Sequence, residues 1–336
     1  MPLSRRHLLA SGLVLSGTGV LAACSSESSS PLTIGLTYTP NIQFAPFYMA
    51  KKDSKYASGV SLRHHGAQEG LFDALLSGKE QLVVAGADEA VVAASNGSDL
   101  VVVGGYYQSY PACLIVPESS PIKTPADLKG KTVGTPGRKG ETWYALQLAM
   151  DTASLSESDL TIQDIGYTQQ AALVGGKVDA VVGFSNNDAV QMRLAGLQIR
   201  EITLNPTSTP LVSASFITTH KWAHEHPEQA RAVVAATTKA MNDIAAAPQI
   251  ALDATKQWDT SLTDEATLSA ANAVLAATVP LWLGDTGTAT GAQDLATWAQ
   301  MVTFLDSLGE LEGSVDATTL ATNDYVSAND SASPQS

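Results

Sequence analysis

The chain has 336 residues, 44% of them hydrophobic, enough for two ordinary domains around a sizeable core. Its 33 acidic residues outnumber 19 basic ones, for a formal charge of −14, which argues against nucleic acid or anionic lipid as a partner. Two cysteines and six histidines, in no ligand-like spacing, support no structural metal site.

Arg5 and Arg6 precede an apolar run from Leu8 to Ala23. The run is short for a membrane span, which needs about 20 residues, and residues 1–23 read as a signal peptide. The paired arginines resemble a twin-arginine export signal; an ordinary secretory leader fits as well. "LAAC", ending at Cys24, resembles the bacterial lipobox. Residues 24–31 then form a lipidated cysteine and a flexible Ser-rich tether. The expected location is outside the cell, lipid-anchored to the outer face of the bacterial cytoplasmic membrane. With Cys24 lipidated, Cys113 has no partner for an internal disulfide.

"LTIGLTY", residues 32–38, alternates Leu32, Ile34, Leu36 and Tyr38 on one face and predicts a first strand. A helix follows from about Phe44 to Lys52. "VSLRHHG" predicts a strand, on which the adjacent His64 and His65 point to opposite faces. "EGLFDALLSGK" predicts a helix with Leu71, Leu75 and Leu76 at helical spacing and a stop at Gly78. "QLVVAGA" is a buried strand, and "ADEAVVAASNG" a helix ending at Gly97. "DLVVVGGYY" and "ACLIVPE" are further apolar strands. The rhythm repeats through "KTVGTPG", "GETWYALQLAMDTA", "LTIQDIG", "QQAALVGG", "VDAVVGF" and "NDAVQMRLAG". "PLVSASFITT" predicts a strand returning to the first sheet. A helical region follows, opening with Pro227 and striped by Val233, Val234, Met241 and Ile244.

Strands alternating with helices predict mainly parallel sheets covered on both faces. The expected organisation is a discontinuous first lobe (32–110 and 211–326), a second lobe (111–210) and a disordered tail (327–336). Ligands bind open α/β sheets at the carboxyl ends of strands. Five segments lie there and are expected to face one cleft: "TPNIQF", "GADE", "GGYYQSY", "GTPGRKGE" and "GFSNND". From them the candidate ligand-binding residues are Tyr38, Thr39, Asn41, Phe44, Asp88, Tyr107, Gly137, Thr142, Trp143, Phe184, Asn186 and Asn187. Rings that stack and amides that both donate and accept suit a flat heterocycle. Two competing roles stand beside this: Phe47 as plain helix core, and Asn187 as the cap of the helix beginning near Asp188. No catalytic residue and no cofactor are assigned.

"PNIQFAPFYMAKK", "ADEAVVAASNGSDLVVVGGY", "SPIKTPADLKGKTVGTPG", "GGKVDAVVGFSNNDAVQ" and "HEHPEQARAVV" resemble the substrate-binding proteins of nitrate/sulfonate/taurine and thiamine-pyrimidine-precursor importers. "VPLWLG" and the stretch from "TWAQMVTFLDSLGELE" to "TNDYV" extend the resemblance over residues 32–326. It implies an α/β, two-lobed periplasmic-binding-protein fold of type II, hinge-closing, with mixed, mainly parallel sheets and C-terminal helices. It implies a monomer that hands a small-molecule ligand to the permease of an ABC importer and is not an enzyme. "GFSNNDAVQ" and "PNIQFAPFY" resemble the vitamin-precursor branch, including riboflavin binders, more than the nitrate branch. "TYTPN" departs from the thiamine-precursor pattern "DWTPN" at Thr37 and Tyr38, which weakens a transfer of pyrimidine specificity. The alternatives are an anion binder, with Arg138 and Lys139 beside the Gly140 helix start, a thiamine-pyrimidine biosynthesis enzyme, whose cysteine-rich motif this chain lacks, and a ligand sensor that docks to a membrane receptor through the same fold.

Overall fold

The computed structural model describes residues 32–53, 55–56, 59–66, 69–205 and 208–326. The expected signal segment, the Cys24 anchor, the tether and the tail from residue 327 lie outside the described residues.

The described strands are β1 (Leu32–Leu36), β2 (Val60–His64), β3 (Leu82–Gly86), β4 (Val101–Gly105), β5 (Ala112–Pro117), β6 (Thr132–Thr135), β7 (Thr161–Asp164), β8 (Ala180–Phe184), β9 (Ile199–Ile202) and β10 (Ala214–Thr218). They form two five-stranded sheets, ordered β2-β1-β3-β10-β4 and β7-β6-β8-β5-β9. β10 returns to the first sheet as expected and lies antiparallel between β3 and β4, with Phe216 opposite Val84 and Gly104. β5 does the same in the second sheet, with Leu114 opposite Val182 and Ile202. Four strands of each sheet therefore share one direction, and the strand reached by a crossover opposes them. β3 and β4 are buried along their whole length, as apolar runs covered on both faces should be. The largest apolar cluster draws Val83 and Val102 from one sheet, Val133 and Val182 from the other, and Trp143, Tyr144 and Trp298 between them.

Three local expectations change. β1 stops at Leu36, and Tyr38 turns outward to 56% exposure instead of extending the buried face. The "EGLFDALLSGK" helix shrinks to Asp73–Leu76; so short a helix presents one buried side, which Phe72 and Leu75 fill, leaving Leu76 exposed. β9 escaped the pattern because Arg200 and Glu201 sit inside an edge strand of only four residues. Gly78 and Gly97 do terminate their helices, with φ of 75° and 86° that only glycine adopts without strain.

The Pro227–Ala246 helix buries Val233, Val234, Met241 and Ile244. The Leu295–Ser307 helix buries Trp298, Met301, Phe304 and Leu305 and packs on the Ala87–Ser95 helix. A parallel bridge between Val102 and Ala321 ties the last described segment to β4.

Candidate functional site

The opening aromatics divide by role. Phe47 is fully buried and stacks on Tyr106, with centroids 5.3 Å apart. Tyr48 stacks on Trp258 at 5.1 Å, and its hydroxyl meets His64 Nε2 at 2.9 Å. His64 Nδ1 lies 2.7 Å from the Tyr38 carbonyl. A carbonyl only accepts, so Nδ1 carries the proton and Nε2 accepts from Tyr48. These contacts hold the segment after β1 to β2 through His64.

The five segments meet at the first crossover, residues 106–111. The Tyr107 hydroxyl accepts from Gln43 Nε2 and from Asn186 Nδ2, both at 3.4 Å. Gln43 belongs to the first-sheet side and Asn186 to the second. Asn186 is buried and also donates to Thr278 Oγ1 at 3.1 Å, joining the loop after β8 to the Glu265–Leu283 helix. As acceptor of two hydrogen bonds, Tyr107 keeps its own proton to donate. Burial pushes its pKa up, so the phenol stays neutral.

Three residues further on, the Tyr110 hydroxyl lies 2.6 Å from Asp88 Oδ2 and 2.8 Å from the Glu141 carbonyl oxygen. Asp88 and Glu89 open the helix after β3, and Glu141 opens the helix after β6. The Ser213 hydroxyl, on the second crossover, donates to Glu141 Oε1. Burial, reinforced by Glu141 and Glu89, raises the Asp88 carboxyl well above the usual range. Glu89 rises to about 8 through burial and the nearby Glu141, against the opposing pull of Lys139. Burial raises Glu141 to about 7, and the Ser213 hydrogen bond opposes it. The helix N-termini favour the ionised forms; burial and crowding outweigh them.

The other candidates are placed differently. The Asn41 side chain accepts from the Gln43 amide at 2.8 Å and donates to the Thr39 carbonyl at 2.9 Å, so it caps its own turn. Replacing Asn41 with Ala is therefore expected to lower stability by about 0.5–2 kcal/mol, the cost of losing a cap; urea unfolding of the variant checks this. Phe44 is buried and sets its ring edge on His64 at 5.5 Å. Trp143 is buried in the shared core, with its indole N–H donated to Glu310 Oε1 at 3.1 Å. Thr142 is buried beside it, and the Gly137 carbonyl accepts from Thr135. Phe184 is half-buried against the main core, and its amide donates to Asp188 Oδ2 at 2.7 Å. Asn187 makes no side-chain cap hydrogen bond; Asp188 closes that turn instead. Tyr38 and Thr39 are exposed.

Sequence reasoning missed Gln43, Glu89, Tyr110, Glu141, Ser213 and Thr278. Gln43, Glu89, Tyr110 and Glu141 lie within the five strand-end segments, so position alone offered them; Ser213 and Thr278 enter only through tertiary packing. Among the described residues, no group of three or more His, Cys, Asp or Glu side chains is arranged to hold a metal ion. A groove of about 590 Å³ lined by His220, His224 and Tyr325 lies beside Val101, at the amino end of β4, the opposite end from Tyr107.

The NMT1/THI5-like family model matches residues 41–251. The chain is 30% identical over 305 residues to the riboflavin-binding protein RibY of Chloroflexus aurantiacus, covering 88% of this chain and 86% of that one. Its structure is similar to that of the periplasmic aliphatic sulphonate binding protein SsuA from Escherichia coli, with a TM-score of 0.67, 21% identity, and 87% and 92% of the two chains covered. The desulfurization enzyme DSZB shares the fold at a TM-score of 0.59 and 14% identity, over 88% of this chain and 97% of that one. The two crossed sheets are those of the periplasmic-binding-protein fold, and with a family match spanning more than half its length the chain belongs to the NMT1/THI5-like family.

Proposed function

We propose that this protein is an extracytoplasmic solute-binding protein that captures a flat, uncharged heterocycle of the riboflavin or thiamine-pyrimidine type and passes it to an ABC importer. The observation that carries this reading is the chemistry of the strand ends. Phenol and amide groups from both sheets converge on Tyr107, and beside them stand three carboxyl groups. Of the two cations expected to serve an anion, Arg138 and Lys139, Arg138 is held elsewhere by Glu157 at 2.6 Å and Asp164 at 3.4 Å, with its guanidinium 5.4 Å from the Trp143 ring centroid. A sulfonate or nitrate entering this site would meet three carboxyl groups, with Lys139 as the cation acting on Glu89, an unfavourable balance of charge for an anion. A neutral ring system meets donors and acceptors that need no counter-charge. The resemblance to RibY supports riboflavin as the first ligand to test. The lipid anchor at Cys24, a monomeric state and hinge closure of the two lobes, 32–110 with 211–326 against 111–210, complete the proposal.

A thermal-shift and calorimetry panel of riboflavin, thiamine, taurine and nitrate tests it. Riboflavin at 100 times its dissociation constant is expected to stabilise the protein by about 2.7 kcal/mol, with no response to taurine or nitrate. Stabilisation by taurine or nitrate alone would overturn the assignment. Mass spectrometry of riboflavin recovered after incubation with the protein is expected to return it intact; turnover beyond one equivalent would favour the enzyme reading.

A further inference from the structure

The cleft floor crowds three carboxyl groups together from opposite sheets. A Cβ added to Gly86 would fall 2.7 Å from Asp88 Oδ1, 2.8 Å from Glu89 Oε2 and 3.2 Å from Glu141 Cγ. One added to Gly140 would fall 2.9 Å from Glu89 Oε1. Two glycines thus leave the space into which acids of the two lobes fit. Like charges this close in a poorly hydrated site do not all stay ionised.

The hydrogen bonding points the same way. Tyr110 has one hydroxyl proton but two short oxygen contacts, to Asp88 Oδ2 and to the Glu141 carbonyl. A carbonyl cannot donate. Both contacts become hydrogen bonds if Asp88 is protonated and donates to Tyr110, which donates onward to Glu141. The surroundings supply little positive charge. Tyr107 and Tyr110 face the cluster from the first crossover, Ser213 from the second, and Tyr144 from the Glu141 helix. Glu310 acts on Tyr144 from the C-terminal segment. Lys139 is the cation acting on Glu89, and Arg138 is bound to Glu157 and Asp164.

We infer that Asp88, Glu89 and Glu141 form a proton-held latch: the closed cleft retains protons on these carboxyls, and opening releases them to solvent. The inference rests on the cleft being the ligand site and adds its regulation. Once hydrated in an open cleft, the two glutamates titrate near their ordinary value of 4.5; closed, they titrate near 8 and 7. Between those limits the closed form binds more protons. A falling pH therefore favours closure, and a rising pH favours opening. Ligand capture takes up protons, and affinity declines as pH rises.

The test has two arms. Riboflavin binding, read by flavin fluorescence, is expected to weaken at least about tenfold from pH 6 to pH 8 in wild type, since each coupled proton contributes up to a factor of ten per pH unit. Glu89→Gln and Glu141→Gln, which mimic the protonated acids, are expected to flatten that dependence. The second arm needs no ligand. Hydrogen-exchange protection of the amides around residues 87–91 and 141–145, corrected for intrinsic rates, is expected to fall between pH 6 and pH 8 in wild type and to hold in the double variant. An unchanged wild-type protection, or an equal fall in the double variant, overturns the latch. Failure of riboflavin to bind while the exchange response appears would overturn the ligand and leave the latch standing.

Discussion

Replacing Glu80 with Ala is expected to lower the free energy of unfolding by about 1–3 kcal/mol, the usual cost of leaving a buried polar group without its hydrogen-bond partner. Glu80 is 1% exposed. Its carboxylate meets the buried His65 Nε2 at 3.0 Å and accepts from Arg63 Nη1 at 2.6 Å. Arg63 is partly exposed and can turn to water or rely on Glu69, which it also holds at 2.6 Å. His65 cannot: among the described residues its Nδ1 has no hydrogen-bond partner, so losing Glu80 removes the contact its Nε2 makes there. The carboxylate fits only because Gly35 of β1 has no side chain; a Cβ there would lie 2.2 Å from Glu80 Oε2. Gly35→Ala is expected to be damaging for the same reason. Chemical denaturation of Glu80→Ala beside Glu69→Ala separates the buried pair from the surface one. A Glu80→Ala midpoint equal to that of Glu69→Ala would show that the buried contact carries no net stability.

Asn186→Ala is expected to weaken ligand binding at least tenfold, equivalent to about 1.4 kcal/mol. The side chain, from the loop after β8, reaches Tyr107 on the crossover and Thr278 on the Glu265–Leu283 helix. Its removal strips one hydrogen bond each from Tyr107 and from the buried Thr278 hydroxyl, which keeps its bond to the Val274 carbonyl. That bond is local to its helix, so the fold should tolerate the change better than the junction at Tyr107 does. Tyr107→Phe is a second probe, since it removes the hydroxyl proton while keeping the ring. Calorimetry on both folded variants with riboflavin checks the expectation. Unchanged affinity in both would move the ligand away from Tyr107.

Sequence carried most of the strand order, because apolar runs such as "QLVVAGA" and "DLVVVGGYY" announce themselves locally, and "PLVSASFITT" had a partner sheet to rejoin. It carried less of the site. Asn41 and Gln43 are equivalent on paper: two amides in one turn, two residues apart. Backbone geometry turns Asn41 back on its own loop and leaves Gln43 to reach Tyr107. Glu89 and Glu141 look like ordinary acids at helix starts, a placement explained by the helix dipole. Only the tertiary fold, with glycine at Gly86 and Gly140, brings them together. Phe44 and Trp143 show what ring chemistry alone does not tell: Phe44 sets its edge on His64, and the Trp143 indole N–H donates to Glu310.

β10 separates β3 from β4 in the finished sheet, although about a hundred residues separate it from β4 in the chain. During synthesis, then, the sheet that begins first is completed last. β5 to β9 occupy one unbroken stretch and have every strand of their sheet available once Ile202 has emerged. The edges of β3 and β4 that β10 will cover wait unpaired through that interval. Exposed strand edges are templates for wrong pairing, and contacts so distant in sequence form slowly. The period between the appearance of Gly105 and that of Thr218 is thus when the nascent chain is most open to aggregation, and when a chaperone has the most to protect.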